Sequence, residues 1–341
     1  MQRAFITGIS ATELSAAERA FIESERPWGF ILFKRNIEMP GQVTRLVEEL
    51  KKCAGRDEVP VLIDQEGGRV QRLGPPHWPL YPPGAAFGTL YDLDPALGLS
   101  AARLSTRLIA ADLGELGINV DCLPLADVPI AGADAVIGNR AYGTEPAKVA
   151  AIARAVTEGL EQGGILPVLK HIPGHGRATA DSHLRLPEVN TPRKDLERTD
   201  FAAFQPLSDL PMAMTAHVVF SALDPVHPAT TSATIIEQVI RGVIGFQGLL
   251  MSDDVSMNAL SGSIAERTRA IFSAGCDIVL HCNGNFDEMR DVAAVTPELS
   301  GKALERARLA LASRRAPQPF DRTAARIELE AMMDKAGIPG A

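Results

Sequence analysis

Short apolar segments alternate with helix-like segments along the chain, and this alternation repeats about eight times. The apolar segments have the length of buried strands, and the segments between them show helical periodicity and helix-forming residues. Strand followed by helix, repeated about eight times, is typical of a (β/α)8 barrel. An open, doubly wound sheet uses the same alternation with fewer units. No GxGxxG or GxxxxGK[ST] loop follows the first strands, which argues against a nucleotide-binding fold.

The predicted elements cover most of the chain. Strands are predicted at residues 4–9, 29–33, 59–63, 118–125, 165–169, 212–218, 248–251 and 276–280. Helices are predicted at residues 12–24, 42–54, 97–116, 147–162, 191–207, 233–241, 264–274 and 288–313. With 341 residues, the chain is long enough for one large barrel or two ordinary domains. The strand count favours a single α/β (TIM) barrel over residues 1–316. A C-terminal helical extension, residues 317–341, should pack on its exterior.

Charge and terminal sequence limit the partners that we expect. The net charge is −8, which provides no basic surface for nucleic acid or an anionic membrane. Residues 1–8 contain one arginine and only a short apolar run, so they predict neither a signal peptide nor a membrane span, and we expect a cytoplasmic protein. The four cysteines are scattered without a CxxC pair, which predicts reduced thiols and neither zinc nor disulfides.

The most unusual polar segment follows the predicted strand at 165–169. Lys170 and His171 begin a glycine-rich run, and Asp181 and His183 follow it closely. Polar residues follow nearly every other predicted strand as well, and in a parallel barrel these groups converge on one rim. His171, His175, Asp181 and His183 could also bind a metal. No HxH or HExxH spacing places two such ligands on one element, so no metal is predicted.

Several of these polar groups have ordinary structural interpretations. Asp64 and Arg69 could form an ion pair in a glycine-kinked loop. His217 lies between apolar residues and is predicted to be a buried histidine with satisfied hydrogen bonds. Ser252, Asp253 and Asp254 could cap a helix.

Together, however, the motifs resemble family-three glycoside hydrolases, and among them the bacterial cytoplasmic β-N-acetylglucosaminidases of cell-wall recycling. The motifs occur in the family's order between about residues 5 and 285. They are DQEGGRVQR at 64–72, VIGNR at 136–140, KHIPGHG at 170–176, DSH at 181–183 and the segment 248–256.

The resemblance implies a mechanism and a set of site residues. It assigns Asp253 as the nucleophile that forms a covalent glycosyl-enzyme, with neighbouring Asp254 as the fallback. It assigns His183 as the acid/base and Asp181 as the group that orients it. A carboxylate partner fixes the tautomer of an imidazole and favours its protonated form, which suits proton donation near neutral pH. The residues implied as sugar contacts are Asp64, Arg72, Arg140, Lys170 and His171.

The implied activity is exo-hydrolysis of non-reducing terminal β-linked N-acetylglucosamine from muropeptides, chiefly a disaccharide that ends in anhydro-N-acetylmuramic acid. We expect a monomer without cofactor or metal. Three alternatives remain open: phosphorolysis of the same bond, a metal-dependent barrel hydrolase, and a sugar-binding barrel without turnover. Phosphorolysis is included because histidine tolerates an approaching phosphate dianion better than a glutamate does.

Overall fold

Nine parallel strand segments, surrounded by helices, form the central barrel of this computed structural model, which describes residues 2–178, 182 and 185–337. The predicted acid/base pair, Asp181 and His183, lies outside the described residues. The barrel segments are β1 (Arg3–Gly8), β2 (Pro27–Leu32), β3 (Val61–Ile63), β6 (Val120–Asp121), β7 (Leu166–Pro167), β8 (Leu169–Ile172), β10 (Met212–Thr215), β12 (Leu249–Asp254) and β13 (Ile278–His281). The short strands β4 (Gln65–Gly67) and β5 (Val70–Gln71) form a hairpin, and β9 (Glu188–Val189) pairs with β11 (Val219–Phe220).

The order of the strands shows how the barrel closes. The sheet runs β7-β6-β3-β2-β1-β13-β12-β10-β8, with parallel pairing between its neighbours. Its two end segments, β7 and β8, are consecutive parts of one extended stretch that is interrupted only at Val168. Since β7 pairs with β6 and β8 pairs with β10, this stretch joins the two edges. The nine segments therefore correspond to eight barrel strands, which confirms the predicted (β/α)8 class.

Eleven α-helices occur in the described part of the chain. They are α1 (Ala16–Glu25), α2 (Pro40–Ala54), α3 (Gly84–Leu93), α4 (Pro95–Glu115), α5 (Pro146–Gln162), α6 (Arg193–Arg198), α7 (Asp200–Phe204), α8 (Ile264–Ala274), α9 (Phe286–Val295), α10 (Gly301–Ala312) and α11 (Arg322–Lys335). A π-helix covers Ile235–Val243, and 3₁₀ turns cover Lys34–Asn36, Gly138–Arg140, Gln205–Leu207 and Ala229–Thr231. None of the helices in these residues is long and apolar enough to cross a bilayer.

All eight predicted strands are present, and the differences concern boundaries and helices. The strand predicted at 165–169 extends to Ile172, so Lys170 and His171 lie within it rather than after it. The helix predicted at 191–207 is divided at Thr199, and the one predicted at 288–313 is two helices. Helix α3 is absent from the prediction, because its apolar sequence follows a proline-rich loop without a clear polar face.

Apolar residues alternate between two cores along the strands. One set fills the barrel interior and includes Ile6, Leu62 and Met251. The residues next to them face the surrounding helices, as Phe5 and Leu250 do. This alternation is the period of two that a strand imposes on a sheet covered on both faces. Buried residues of α10 belong to the interior set, so this helix contributes to the interior packing.

Helix α11 packs against α4 on the barrel exterior. Its buried side chains are Ala325, Leu329 and Met333. Arg322 also forms ion pairs with Asp112 of α4 and with Glu115. Helix α11 therefore contacts α4, and the division of the chain into a barrel and a C-terminal extension at residue 316 stays a proposal.

Candidate active site

The carboxyl ends of the strands surround a cavity of about 140 Å³. Six of the eight predicted site residues line it: Asp64, Arg72, Arg140, Lys170, His171 and Asp253. They come from the ends of β3, β8 and β12, from the hairpin and from the loop after β6. The C-terminal rim of a parallel barrel is where its enzymes place their catalytic groups. The other two predicted residues, Asp181 and His183, lie outside the described residues.

Asp64 is held between two cations at the end of β3. Its Oδ1 accepts a hydrogen bond from Lys170 Nζ at 3.0 Å, and its Oδ2 accepts one from Arg72 at 3.0 Å. Burial alone raises the pKa of this carboxyl, but the charges of Lys170 and Arg72 outweigh that effect and hold the pKa of Asp64 well below its usual range. Asp64 is therefore an ionised, acceptor-only group on the cavity wall, which suits sugar hydroxyls.

Glu66 is a second carboxylate beneath these cations. It binds Arg140 through two parallel bonds, from Nε at 2.9 Å and from NH2 at 2.8 Å. Its Oε1 also lies 2.6 Å from Lys170 Nζ, and its side chain is only 4% exposed. Burial raises the pKa of Glu66, whereas Lys170 and Arg140 lower it, and the result is a pKa of about 2. Glu66 thus binds two predicted sugar contacts at once.

The cations still have donors for a ligand after these pairings. Lys170 contacts two carboxylates, which leaves one of its three N–H groups. Arg140 uses three of its five donors, on Glu66 and on the carbonyl of Val136. Arg72 stacks on the ring of Phe33 at 5.2 Å, and its buried Nε has no partner among the residues that the structure describes. The cavity wall therefore offers several unused N–H donors beside the Asp64 acceptor.

His171 is oriented by Asp127, a residue that follows β6. His171 Nδ1 lies 2.8 Å from Asp127 Oδ2, and the backbone N–H groups of His171 and His175 donate to Asp127 Oδ1. Asp127 is fully buried. Burial raises its pKa and the two histidines lower it, with a net value of about 2. The ionised carboxylate therefore fixes a proton on Nδ1 and leaves Nε2 of His171 for other partners.

His175 contacts Ser182, which lies between the two predicted acid/base residues in the sequence. Its Nε2 lies 2.9 Å from the hydroxyl of Ser182, and both residues line the cavity. Burial, and then the neighbouring His171, lower the pKa of His175 to about 4. At neutral pH this imidazole is uncharged, so it acts as a hydrogen-bonding group.

Asp253 and Asp254 end β12, but they have different surroundings. Asp254 accepts hydrogen bonds from the backbone N–H groups of Ser256 and Cys282, both at 3.0 Å, and from the Ser256 hydroxyl at 2.6 Å. Its carboxylate therefore joins the loop after β12 to the end of β13. Asp253 is half-buried, lines the cavity, and accepts a bond from the Asp254 N–H at 2.8 Å. Asp254 is also half-buried and lines the same cavity, so what distinguishes it is the bonding of its carboxylate to the loop after β12 and to the end of β13.

Two adjacent glycines shape the hairpin that carries Asp64, Glu66 and Arg72. Gly67 and Gly68 have φ angles of 91° and 57°, which favour glycine. A Cβ at Gly67 would lie 2.3 Å from the carbonyl oxygen of Pro82. The turn therefore requires glycine both for its backbone conformation and for the close approach of the next loop.

Two residues of the site are absent from the sequence-based prediction. Glu66 lies inside the motif at 64–72, yet neither its spacing nor the resemblance gives it a role there. Asp127 follows the predicted strand at 118–125. A polar residue just after a barrel strand is a candidate site residue, and this position could have identified Asp127. The interpretation of His217 as a core residue is confirmed: it is fully buried and both ring nitrogens have partners, Thr230 and the Asp254 carbonyl.

A metal site would need clustered ligands. Within residues 2–178, 182 and 185–337, no group of three or more His, Cys, Asp or Glu side chains could hold a metal ion. The alternative metal site considered from the sequence also includes Asp181 and His183, which lie outside these ranges.

A comparison with models of protein families shows which family the chain belongs to. The model of the glycosyl hydrolase family 3 N-terminal domain matches residues 6–316. The chain belongs to glycosyl hydrolase family 3. It is therefore an enzyme, a glycoside hydrolase, and the cavity described above lies where this class of barrel places its active site.

Individual relatives agree with the family. A β-hexosaminidase of Alkalilimnicola ehrlichii is 39% identical over 280 residues, which are 81% of this chain and 79% of the relative. Among solved structures, NagZ of Neisseria gonorrhoeae in complex with N-trifluoroacetyl-D-glucosamine has a TM-score of 0.82 and 32% identity, with 98% of this chain and 97% of that chain covered. A family 3 β-N-acetylglucosaminidase of Paenibacillus has a TM-score of 0.86 and 27% identity, with 98% and 67% covered.

Proposed function

We propose that the protein is a retaining exo-β-N-acetylglucosaminidase that removes non-reducing terminal N-acetylglucosamine from muropeptides. The observation that carries the proposal is a cavity whose wall holds Asp253 beside Asp64, Lys170 and Arg72. Asp254 lines it too, but its carboxylate accepts bonds from the backbone N–H groups of Ser256 and Cys282. Relatives named β-hexosaminidase support the hexosaminide substrate. The neisserial complex with an N-acylated glucosamine supports recognition of the acylamino group.

In the first step, the Asp253 carboxylate attacks the anomeric carbon as the bond to the leaving oxygen breaks. His183 gives its proton to that oxygen, with Asp181 orienting the imidazole. In the second step, His183 takes a proton from water, the water oxygen attacks the anomeric carbon, and the bond to Asp253 breaks. Two displacements at the same carbon retain its configuration.

Exo-action is supported by the size and chemistry of the cavity. A volume of about 140 Å³ is closer to one sugar ring than to a chain of several. Asp64 supplies an ionised acceptor, and the unused N–H groups of Lys170, Arg140 and Arg72 supply donors. A terminal sugar presents several hydroxyl groups that give and accept hydrogen bonds, so this wall suits the non-reducing end of a substrate.

The biological setting belongs to the proposal. We infer a cytoplasmic monomer that acts in peptidoglycan recycling and uses no cofactor or metal. The acidic chain with a net charge of −8 is consistent with a small sugar substrate rather than nucleic acid.

Substitution of Asp253 tests the assignment of the nucleophile. With an aryl N-acetyl-β-glucosaminide as substrate, Asp253→Ala should lower kcat by several orders of magnitude, because no covalent intermediate can form. Asp287→Ala, on the exposed surface of α9, is the matched control and should keep wild-type kcat. A 5-fluoro N-acetylglucosaminide, which keeps the acylamino group, should label a peptide that contains Asp253. Wild-type turnover by Asp253→Ala would exclude this mechanism, and a label on Asp254 would move the role to its neighbour.

A second experiment tests the acid/base and the reaction type. His183→Gln should remove the pH dependence of aryl-glycoside release in the range where a histidine titrates, whereas His171→Gln should mainly raise KM. The reverse pattern would assign the acid/base to the His171–Asp127 pair.

Product analysis of a muropeptide digest, with and without phosphate, should give free N-acetylglucosamine in both. Formation of the sugar 1-phosphate would instead indicate a phosphorylase.

A further inference from the structure

Glu66 occupies a central position in the site, although it does not line the cavity itself. It lies behind Arg140 and Lys170, two residues that do. Within the described part of the chain, its carboxylate makes three close contacts, all with those two cations. Because Glu66 does not line the cavity and lies behind these two cations, they stand between its carboxylate and a substrate.

We propose that Glu66 is a positioning residue that fixes the orientation of Lys170 and Arg140 for sugar recognition. Lysine and arginine side chains have many rotamers, and a flexible donor loses entropy each time it binds a ligand. The two-point contact with Arg140 fixes the plane of the guanidinium. The additional contact with Lys170 fixes the ammonium between Asp64 and Glu66. The unused N–H groups of both cations are therefore directed before the sugar arrives.

Charge gives Glu66 a second effect on the same cations. Lys170 is only 2% exposed and Arg140 only 11% exposed. Burial lowers the pKa of a lysine, but Glu66 and Asp64 overcome this effect and hold the pKa of Lys170 above its usual value. Two carboxylates thus balance three clustered cations, Lys170, Arg140 and Arg72. Without Glu66, Lys170 and Arg140 would repel each other and lose their common anchor.

The proposal rests on the proposed function, so the experiment separates the two. Wild-type hydrolysis of an aryl N-acetyl-β-glucosaminide tests the activity alone. The comparison of Glu66→Gln with wild type tests the positioning role. Glu66→Gln should lower kcat/KM by about tenfold to a hundredfold, the usual range for a buried hydrogen bond to a charged group. Glu158→Gln is the matched control, because Glu158 pairs with Arg103 on the outer surface of α4 and α5, and its kcat/KM should be unchanged.

Deoxy substrates provide a measurement that a merely structural role would not change. In the wild type, aryl glycosides that lack the 3-, 4- or 6-hydroxyl should each react more slowly when the missing group contacts Lys170 or Arg140. In Glu66→Gln, at least one of these penalties should shrink several-fold, because the donors are no longer held in place. Penalties that are all identical in both proteins, with kcat/KM lowered, would overturn the proposal.

Folding of the variants is checked by their melting temperature and near-ultraviolet circular dichroism. If Glu66→Gln does not fold, Glu66→Asp keeps the charge but withdraws the carboxylate, and the same deoxy series is measured on that variant. A folded Glu66→Asp with wild-type kinetics would contradict the proposal. Failure of both variants to fold would also overturn it and leave Glu66 with a purely structural role. If the wild type shows no turnover, N-acetylglucosamine binding by calorimetry replaces kcat/KM in the same comparison.

Discussion

Asp253 and Asp254 are adjacent in the sequence, but we expect substitution of Asp253 to affect mainly activity and substitution of Asp254 to affect mainly stability. Asp254→Asn keeps an oxygen for the N–H groups of Ser256 and Cys282, which both donate to Oδ1, but it removes the negative charge and the Oδ2 acceptor of the Ser256 hydroxyl. It should destabilise the protein by about 1–3 kcal/mol and leave part of the activity. Asp253→Asn should lose activity with a smaller loss of stability. Denaturant unfolding and kcat, measured on both variants, give the comparison, and equal loss of stability in the two would contradict it.

The buried histidine His175 should make the stability of the protein depend on pH. The pKa of His175 is about 4 in the folded protein, below the value of a free histidine. Between about pH 6.5 and 4 the unfolded chain therefore binds more protons at this position, and stability falls as the pH falls. The full contribution, up to about 3 kcal/mol, is present above about pH 6.5 and lost by about pH 4.

His175→Gln should remove that part of the pH dependence. Unfolding free energies from urea titrations at several pH values between about 4 and 7 would measure it, with exposed His77→Gln as the control for loss of an imidazole. Below about pH 4 the unfolding free energy of both proteins should still fall with pH. Glu66 and Asp127 have pKa values of about 2, so the stability that they contribute is lost only in stronger acid. An unchanged slope in His175→Gln would show that this histidine is not buried in its neutral form.

At the level of elements, the hairpin β4–β5 presents Asp64 and Arg72 to the cavity, and its turn should not tolerate a side chain. In Gly67→Ala, both the positive φ and the overlap with the Pro82 carbonyl act against the native turn. Gly55→Ala is the control, since Gly55 has a φ of 66° but no atom within 4 Å of the position that a Cβ would take. Gly55→Ala should lower the free energy of unfolding by about 1 kcal/mol. Gly67→Ala should cost more and also raise KM, as measured by unfolding and by kinetics.

The elements themselves were largely predictable from the sequence. Buried strands and amphipathic helices leave a periodic pattern, and all eight strands are recognisable from it. Helix α3 is not, because apolar residues on most of its surface hide the helical period. The end of β8 could not be predicted either. The charge of Lys170 suggests a residue outside the strand, but its ion pairs with Asp64 and Glu66 allow it to lie inside a barrel strand.

At the scale of the whole molecule, closure of the barrel assembles the site. Lys170 and Asp64 are separated by 106 residues in the sequence, and Arg140 and Glu66 by 74. The motifs predict which residues form the site, and the chain belongs to the family that the motifs resemble. They do not indicate which carboxylate pairs with which cation, because that depends on the register and neighbour order of strands distant in sequence. For this reason, the contacts of Glu66 and Asp127 could not be predicted from the sequence.

The proposed boundary between barrel and extension can be tested by truncation. No residue after 316 lines the cavity in the described part of the chain, whereas α11 buries Leu329 and Met333 against the barrel and pairs Arg322 with Asp112. A chain of residues 1–316 should therefore fold and keep kcat within a few-fold. It should lose about 3–6 kcal/mol of stability, mainly from the loss of these two apolar contacts.

Urea unfolding and aryl-glycoside kinetics on the truncated and full chains would measure both effects. Leu329→Ala in the full chain is the matched control, with an expected loss of about 2–3 kcal/mol and unchanged kcat. A truncated chain that cannot fold would place α11 within the barrel domain. A truncated chain that folds but has lost kcat would instead show that α11 acts on the site, through α4 and Tyr81, whose hydroxyl donates to Asp112 at 2.5 Å.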